Sequence, residues 1–410
     1  MERLLGAAEH YFWLHDQVVP IHFALTARIR GNFSLDRLRK SLTQLQLQHP
    51  LLRVAIAVAE TGHPKFVEQI APIPLRLMRR EDEHGWQREV EIELSRSFDW
   101  RTAPLIRVVL LHSESVSELI VTCHHAIADG LSSAYIIRDI VQGLESEGDG
   151  LKPLSQAYPI EQLMPVHERA IVSQTASLPR QYSTAVSSRP RPHVRTALLS
   201  ADCTQQLCDR ARQENTTVHG AISAAFLLAM ARQRGEAVLK CQSPIDVRSQ
   251  LTSSIDETVG LYFSYGVTQH NLKEDSLLWE TARSLKAQLS ALMASPQVFE
   301  VIRQAQIQSA SLPAAETVCQ ALQQPPDYDL VVTNLGRLPF GRQFGSLQIE
   351  AIYGPAVLNG AENEQLVGVM TLGDRLSITV SNPSTTTSEV EANAGLADAL
   401  NLLSEGIELP

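Results

Sequence analysis

Residues 121–130 read VTCHHAIADG, and this stretch carries two adjacent histidines, an aspartate and a glycine. Residues 119–121 lead into the histidines as an apolar run typical of a buried strand. Apolar residues at helical spacing follow over residues 131–144. The histidines are therefore predicted at a strand-to-helix junction, where Gly130 allows a positive φ or a close approach of the backbone.

One of the two histidines is a candidate general base. An imidazole is the side chain best suited to take a proton near neutral pH, because its unperturbed pKa is about 6.5. Adjacent residues of a strand face opposite sides, so His124 and His125 are not expected to share one cavity. We expect His125, at the very end of the strand, to be the base, and His124 to pack on the face of Ile120 and Thr122.

Asp129 follows His125 by four residues, and its carboxylate suits either of two roles. It can hold the imidazole directly, as in a catalytic triad, or it can lock the loop through an ion pair with an arginine from elsewhere in the chain. The spacing does not separate these roles. At the start of the helix, near Gly130, free N–H groups are expected to face developing negative charge.

Two other interpretations of the stretch are weaker. Histidine and aspartate are metal ligands, but adjacent strand residues diverge and the sequence has no further cluster of cysteines and histidines, so no metal is expected. Cys123 lies inside the apolar strand, where a thiol is usually inert.

The pattern His-His-x-x-x-Asp-Gly resembles the signature of the CoA-dependent acyltransferase superfamily, which includes chloramphenicol acetyltransferase, condensation domains of nonribosomal peptide synthetases and polyketide-associated acyltransferases. Other segments resemble landmarks of that superfamily in the expected order: QHPLLR at 48–53, FD at 98–99, PLIR at 104–107, PIDVR at 244–248, VGLYF at 259–263 and TNLG at 333–336. Chain length, ADGLS at 128–132 and the segment 245–248 are most similar to the phthiocerol dimycocerosyl transferase type. The Asp-Phe-Gly-Trp-Gly element of the plant enzymes does not occur in the sequence.

The resemblance implies an α/β fold of two chloramphenicol-acetyltransferase-like lobes with mixed sheets, which form a pseudo-dimer with a channel between them. It implies acyl transfer from a thioester, either acyl-CoA or the phosphopantetheine arm of an acyl carrier protein, to a hydroxyl of a polyketide, lipid or other natural product. His125 would be the base, with no bound cofactor and no metal. Asp129 matches a residue usually described as structural, Arg248 is its candidate partner, and Asn334 is a candidate for the oxyanion site or the channel.

Two alternatives stand beside this hypothesis. A stand-alone condensation domain would form an amide between carrier-bound substrates. A non-catalytic module would only recruit a carrier protein, although the intact His124, His125, Asp129 and Gly130 disfavour it.

The chain of 410 residues is too long for one ordinary core, so we predict two lobes. They are an N-terminal lobe over residues 1–172 and a C-terminal lobe over 194–410, joined by a linker over 173–193 that is rich in Ser, Pro and Arg. Strands are predicted over 17–30, 104–111, 117–123, 237–248, 328–334, 347–353, 365–372 and 375–381, and helices from Ser34 to His49, from Thr217 to Gly235 and over 277–292.

The composition and the N-terminal residues indicate the cellular compartment and exclude one class of partner. The N-terminal residues lack the pattern of a secretory signal, no apolar run is long enough to span a membrane, and five cysteines without a CxxC pair suit a reducing compartment. A cytoplasmic monomer is expected. The net charge of −10 argues against nucleic acid as a partner.

An acidic carrier protein would need a basic docking surface. Two groups of basic residues are candidates, although scattered solvated charge is the simpler interpretation of both: Arg28, Arg30, Arg37, Arg39 and Lys40 in one group, and Arg180, Arg189, Arg191 and Arg195 in the other.

Overall fold

The structure is a computed structural model, and it describes residues 2–145, 154–155, 157–170, 190–235, 238–293, 296–311, 317, 327–361 and 363–408. Elements up to residue 170 are β1 (Glu2–Leu4), α1 (Ala7–Val18), β2 (Phe23–Arg30), α2 (Leu35–Gln48), β3 (Val54–Val58), β4 (Pro64–Glu68), β5 (Leu75–Arg79), α3 (Gly85–Ser95), β6 (Ile106–His112), β7 (Val116–Cys123), α4 (Gly130–Glu145) and α5 (Ile160–Leu163).

Later elements are β8 (His193–Leu198), α6 (Ala201–Gln213), α7 (Val218–Arg234), β9 (Val238–Asp246), β10 (Phe263–Asn271), α8 (Leu278–Met293), α9 (Glu300–Ala310), β11 (Leu330–Arg337), β12 (Gln343–Phe344), β13 (Leu347–Ala356), β14 (Gln365–Leu372), β15 (Arg375–Asn382) and α10 (Glu389–Glu408). The predicted α/β class is confirmed, with two six-stranded mixed sheets and a small three-stranded one.

The N-terminal lobe contains the sheet of order β12-β13-β2-β7-β6-β5. Its strand β7 pairs antiparallel with β2 along the whole of both strands, from Phe23 opposite Cys123 to Arg30 opposite Val116. On one face, helices α2 and α4 pack over an apolar core. Ser34 caps α2 by accepting a hydrogen bond from the Arg37 backbone N–H at 3.2 Å, as its sequence predicts.

The predicted strand over 17–30 is wrong at its start. Residues 17 and 18 close helix α1, and the strand begins only at Phe23. Glu9 begins the helix by accepting a hydrogen bond from the Gly6 backbone N–H at 2.6 Å. The alternating apolar residues from position 23 were correctly assigned to a strand, but their pattern does not show where the preceding helix ends.

The C-terminal lobe contains the sheet of order β10-β9-β11-β14-β15-β8, covered by helices that include α7. The predicted helix limits are confirmed there: the Thr217 hydroxyl accepts from the Gly220 N–H at 3.0 Å, and Gly235 ends α7 in the left-handed region at φ 66°. Predicted strands over 365–372 and 375–381 agree with β14 and β15 to within one residue.

Residues 194–410 do not all belong to one lobe. Strand β13 pairs antiparallel with β2, so it completes the N-terminal sheet and covers an edge that would otherwise be unpaired. The predicted linker over 173–193 lies outside the described residues up to residue 189, and His193 already begins β8. Among the described residues, no helix has the length and apolar character needed to cross a membrane.

The start of α4 packs closely against strands from the second half of the chain. A Cβ atom at Gly130 would lie 2.8 Å from Leu335 Cδ2 and 3.1 Å from Pro355 Cγ. The sequence suggested two reasons for a glycine at this position, a positive φ or a close approach of the backbone. Gly130 does not have a positive φ, so the close approach is the reason that applies.

We expect Gly130→Ala to lower the free energy of unfolding by about 1–3 kcal/mol, because the added methyl group must displace Leu335 and Pro355. Gly341→Ala is the matched control, since an added Cβ there meets nothing within 4 Å. Urea denaturation of both variants measures the difference. Equal stability of the two variants would contradict the close contact.

Candidate active site

The two histidines follow strand β7 at a tight turn. The His124 backbone N–H donates to the Leu105 carbonyl at 2.9 Å, and the Ile127 N–H donates to the His124 carbonyl at 3.1 Å. Helix α4 then begins at Gly130. The predicted strand-to-helix junction is thus present, and the turn directs the neighbouring imidazoles into different surroundings.

His124 is fully buried. Its Nδ1 accepts a hydrogen bond from the Ala126 backbone N–H at 3.1 Å, and its Nε2 lies 3.5 Å from Asp16 Oδ2. Burial lowers the pKa of His124, so the ring is neutral near neutral pH. Asp16 belongs to α1, and no sequence pattern indicated that its carboxylate would face the histidine pair.

His125 faces a cavity of about 700 Å³ that is lined by residues of both lobes. Three phenyl rings surround its imidazole, with centroid distances of 4.2 Å to Phe12, 4.8 Å to Phe23 and 5.6 Å to Phe263. Within the described part of the chain, Nδ1 of His125 has no hydrogen-bond partner. Burial lowers the pKa of His125 to about 4, against the opposing effect of nearby backbone carbonyls and the Asp129 carboxylate.

Asp129 is buried and binds groups other than the His125 ring. Its two oxygens accept hydrogen bonds from Arg248 Nη2 at 2.9 and 2.8 Å, from the Ser132 N–H at 2.8 Å and from the Tyr262 N–H at 2.9 Å. Burial acts to raise the pKa of Asp129, but the Arg248 charge and these hydrogen bonds outweigh it and lower the pKa. Of the two roles open to Asp129 from sequence, these contacts favour the ion pair that locks the loop.

Arg248 is the partner of Asp129 that the sequence suggested. It follows β9 in the C-terminal lobe, and it also donates to Ser132 Oγ at 3.0 Å and to Asp246 Oδ1 at 2.9 Å. The ion pair therefore joins the turn after the histidines to the other lobe. Both side chains are largely buried, with 11% of Arg248 and 6% of Asp129 exposed.

Asn334 lies in β11 and lines the same cavity as His125. Its Oδ1 accepts a hydrogen bond from the Gly336 backbone N–H at 2.8 Å, which orients the amide. The structure thus brings Asn334 to the site, while its part in any reaction stays a prediction.

Sequence reasoning missed the aromatic surroundings of His125. Phe12 and Asp16 lie on α1, a helix that the sequence interpretation did not identify, and Phe263 comes from a distant strand. The available signal for α1 was Glu9, placed to cap a helix that begins after Gly6. No group of three His, Cys, Asp or Glu side chains able to hold a metal ion occurs among the residues that the structure describes.

Four of the seven described residues in the two basic groups suggested as docking surfaces are in ion pairs. The ion pairs are Arg28 with Glu118, Arg30 with Glu350, Arg39 with Asp36, and Arg195 with both Glu91 and Glu389. Arg180 and Arg189 lie outside the described residues. The ion pairs reduce the positive charge that these groups could present to a docking partner.

Two family models match the chain on either side of residue 170. The condensation domain matches residues 14–159, which include both histidines, and the phthiocerol/phthiodiolone dimycocerosyl transferase C-terminus matches residues 188–381. The chain belongs to the CoA-dependent acyltransferase superfamily. This acyltransferase and condensation-domain family is linked to nonribosomal peptide and polyketide synthesis.

Individual members of the superfamily are distant in sequence. The nonribosomal peptide synthetase kk1B of Curvularia clavata is 23% identical over 300 residues, which cover 67% of this chain and 2% of the synthetase. The chain therefore spans only a small part of that relative.

Solved structures are similar over nearly the whole length. Polyketide synthase associated protein 5 from Mycobacterium tuberculosis has a TM-score of 0.69 and 18% identity, covering 99% of this chain and 98% of its own. The TRI3 trichothecene 15-O-acetyltransferase from Fusarium sporotrichioides has a TM-score of 0.75 and 11% identity, with coverage of 100% and 96%. Together with condensation-domain structures they confirm the two-lobed pseudo-dimer fold of the superfamily.

We expect Arg248→Met to lower the free energy of unfolding by about 3–5 kcal/mol, because the Asp129 charge would remain buried without its partner. Arg342→Met is the matched control: Arg342 pairs with Asp374, which is 61% exposed, so its loss should cost at most about 1 kcal/mol. Chemical denaturation of both variants tests the difference, and similar losses would show that the Asp129 contacts are not the stronger restraint.

Proposed function

We propose that the protein transfers an acyl group from a thioester to a hydroxyl of a small natural-product acceptor, with His125 as the general base. The observation that carries the proposal is the position of His125, whose imidazole faces a cavity shared by both lobes. Its lowered pKa keeps the ring uncharged near neutral pH, in the form that accepts a proton. Membership of the acyltransferase superfamily supports the same chemistry.

The proposed reaction needs only one proton carrier. His125 takes the proton of the acceptor hydroxyl as the oxygen attacks the thioester carbonyl, and a tetrahedral oxyanion forms. Collapse of this intermediate breaks the carbon–sulfur bond, and the departing thiolate takes the proton back from the imidazolium. The products are an ester and a free thiol, and the base returns to its neutral state.

Two features near His125 suit the oxyanion. The N-terminal end of α4 reaches the cavity through Gly130 and Leu131, and a helix N-terminus carries partial positive charge. Asn334 lines the cavity from the other lobe and is the side-chain candidate. One well-placed donor is typically worth about 3–4 kcal/mol in the transition state.

The donor enters as a substrate, either acyl-CoA or an acyl group on the phosphopantetheine arm of a carrier protein. No resident cofactor or metal has a role in the proposed steps. Aromatic and aliphatic side chains that line the cavity, among them Phe12, Phe23 and Phe263, favour an apolar acyl chain or acceptor.

A condensation reaction is the second candidate, because the condensation-domain model covers the part of the chain that carries the histidine motif. The same base would then serve an amine, and the product would be an amide. The two candidate functions differ in the nucleophile of the acceptor, which is a hydroxyl for ester formation and an amine for condensation.

The first test compares acyl transfer from a panel of acyl-CoAs and acyl carrier proteins to alcohols and to amines. Intact mass and thiol release report the product and the donor. His125→Ala should lower kcat by about 10²–10⁴-fold, because the general base is removed. His84→Ala, at an exposed position before α3, should match the parent protein.

An ester product supports the main proposal, whereas transfer to amines alone supports the condensation candidate. If His125→Ala kept the turnover of the parent protein, another residue would be the general base. No transfer with any pair would favour a module that only recruits its partner.

The lowered pKa of His125 predicts the pH dependence of kcat/KM. With a pKa of about 4 the base stays neutral as the pH falls to 5, so the rate should be nearly constant from about pH 5 to 8. A base with the ordinary pKa of about 6.5 would lose about 30-fold over the same range. Steady-state rates at several pH values, with His125→Ala as background, distinguish the two profiles.

A further inference from the structure

We propose that helix α1 is a positioning element for the histidine pair: Phe12 sets the ring plane of His125 by stacking, and Asp16 anchors His124 from the same face of the helix. The inference rests on the proposed role of His125 as base. Neither Phe12 nor Asp16 supplies or accepts the transferred proton, so both act on the proton transfer through the histidines, while Phe12 also lines the cavity.

The contact between Phe12 and His125 is a stacked one. Their ring centroids lie 4.2 Å apart and their planes differ by 15°. Phe23 and Phe263 approach the same imidazole at interplanar angles of 48° and 37°, so they close its sides without stacking. Phe12 is therefore the ring that defines the plane of the imidazole.

Aromatic packing restrains the orientation of the His125 ring, beside the backbone carbonyls of residues 125 and 128 that lie near it. Asp129 is bound to Arg248 and to backbone N–H groups, and Nδ1 of His125 has no hydrogen-bond partner among the described residues. A triad would fix the ring with a carboxylate. In this site the aromatic contacts restrain the ring instead, and burial lowers the pKa of His125.

Asp16 faces the other histidine. Because His124 Nδ1 accepts the Ala126 N–H, the proton of the neutral ring lies on Nε2, the nitrogen that is 3.5 Å from Asp16 Oδ2. The second oxygen of Asp16 accepts the Ile21 N–H at 2.9 Å and lies 3.5 Å from His22 Nδ1. The carboxylate thus links the start of β2 to the turn that carries His125.

The pKa of the buried Asp16 carboxyl group is lowered by its neighbours. Burial acts to raise its pKa, but His124, His22 and the Ile21 N–H outweigh burial and lower it. Arg107, from β6, adds positive charge nearby while it pairs with Glu93. At 3.5 Å the Asp16 carboxylate acts on the His124 imidazole through its charge, since His124 Nε2 makes no hydrogen bond among the described residues.

Contacts at the start and along the length of helix α1 fix its position relative to the histidines. At its start, Glu9 pairs with Arg3 at 2.7 Å, and the Ala7 N–H donates to Glu161 Oε1 at 2.8 Å. Along its length, Trp13 packs edge-on against Trp100 at 5.2 Å. Phe12 and Asp16 are four residues apart, so they lie on one face and move together.

The test measures kcat, KM and the pH dependence of kcat/KM in Phe12→Leu and Asp16→Asn. We expect kcat to fall by about 10–100-fold in each with a smaller change in KM, because a misplaced base costs rate more than binding. In Phe12→Leu the acid limb should also move up toward an ordinary histidine pKa, since water reaches the ring. Phe12→Tyr keeps the aromatic face and should retain most of the rate.

Matched controls exist for both substitutions. Phe33 packs against His112 at 5.4 Å, and Asp139 pairs with His49 at 2.8 Å. Phe33→Leu and Asp139→Asn therefore remove a phenyl contact and a carboxylate contact from histidines that do not line the cavity. Both controls should keep the kcat and the pH profile of the parent protein. Circular dichroism of every variant checks that the fold is retained.

Double variants separate this inference from the proposed function. In a His125→Ala background, Phe12→Leu and Asp16→Asn should have no further effect on kcat, because each acts through the base. If His125→Ala itself is fully active, the proposed function fails. If His125→Ala is impaired but Phe12→Leu changes only KM, and Asp16→Asn behaves like Asp139→Asn, the positioning role of α1 is overturned.

Discussion

The ion pair between Asp129 and Arg248 is the constraint on which the rest of the site depends. It joins the turn after the histidines to the segment after β9, and the Asp129 N–H donates to the Gly260 carbonyl at 2.9 Å alongside it. A buried ion pair is stable only when its remaining hydrogen-bonding groups are satisfied. The Ser132 and Tyr262 N–H groups meet that condition for the carboxylate, so the ion pair is a buried connection between the two lobes.

This constraint decides what kind of base His125 can be. Because Asp129 is bound to Arg248, it does not hydrogen-bond the imidazole as a triad carboxylate would. It acts on the His125 ring only through its charge. Burial among phenyl rings keeps the imidazole neutral, which makes it available as an acceptor over a wide pH range. The nearby Asp129 charge favours the imidazolium once the proton has moved.

Local patterns were enough to predict the junction that carries the histidines, because strand alternation and helical spacing are encoded by neighbouring residues. The same reasoning placed the limits of α7 at Thr217 and Gly235. It failed for α1, where the backbone N–H of Ala7 in the first turn donates to the distant Glu161 side chain. It also failed to assign β13 to the N-terminal sheet, since alternation predicts a strand but not its neighbour. The contacts of Phe12, Asp16 and Phe263 with the histidines depend on that tertiary arrangement.

The adjacency of the two histidines has a physical use in this arrangement. Where a strand ends, consecutive side chains still diverge, so one ring enters the protein interior while the next reaches the cavity. Positions four residues apart on a helix are separated by about 6 Å along its axis, which is enough for one helix crossing the strand end to meet both rings. His124 then restrains the backbone through Asp16, while Phe12 restrains the ring of His125 directly. A single histidine at this junction would have its ring packed but its backbone held only by the turn, so the second histidine adds positional control of the base rather than a second proton acceptor.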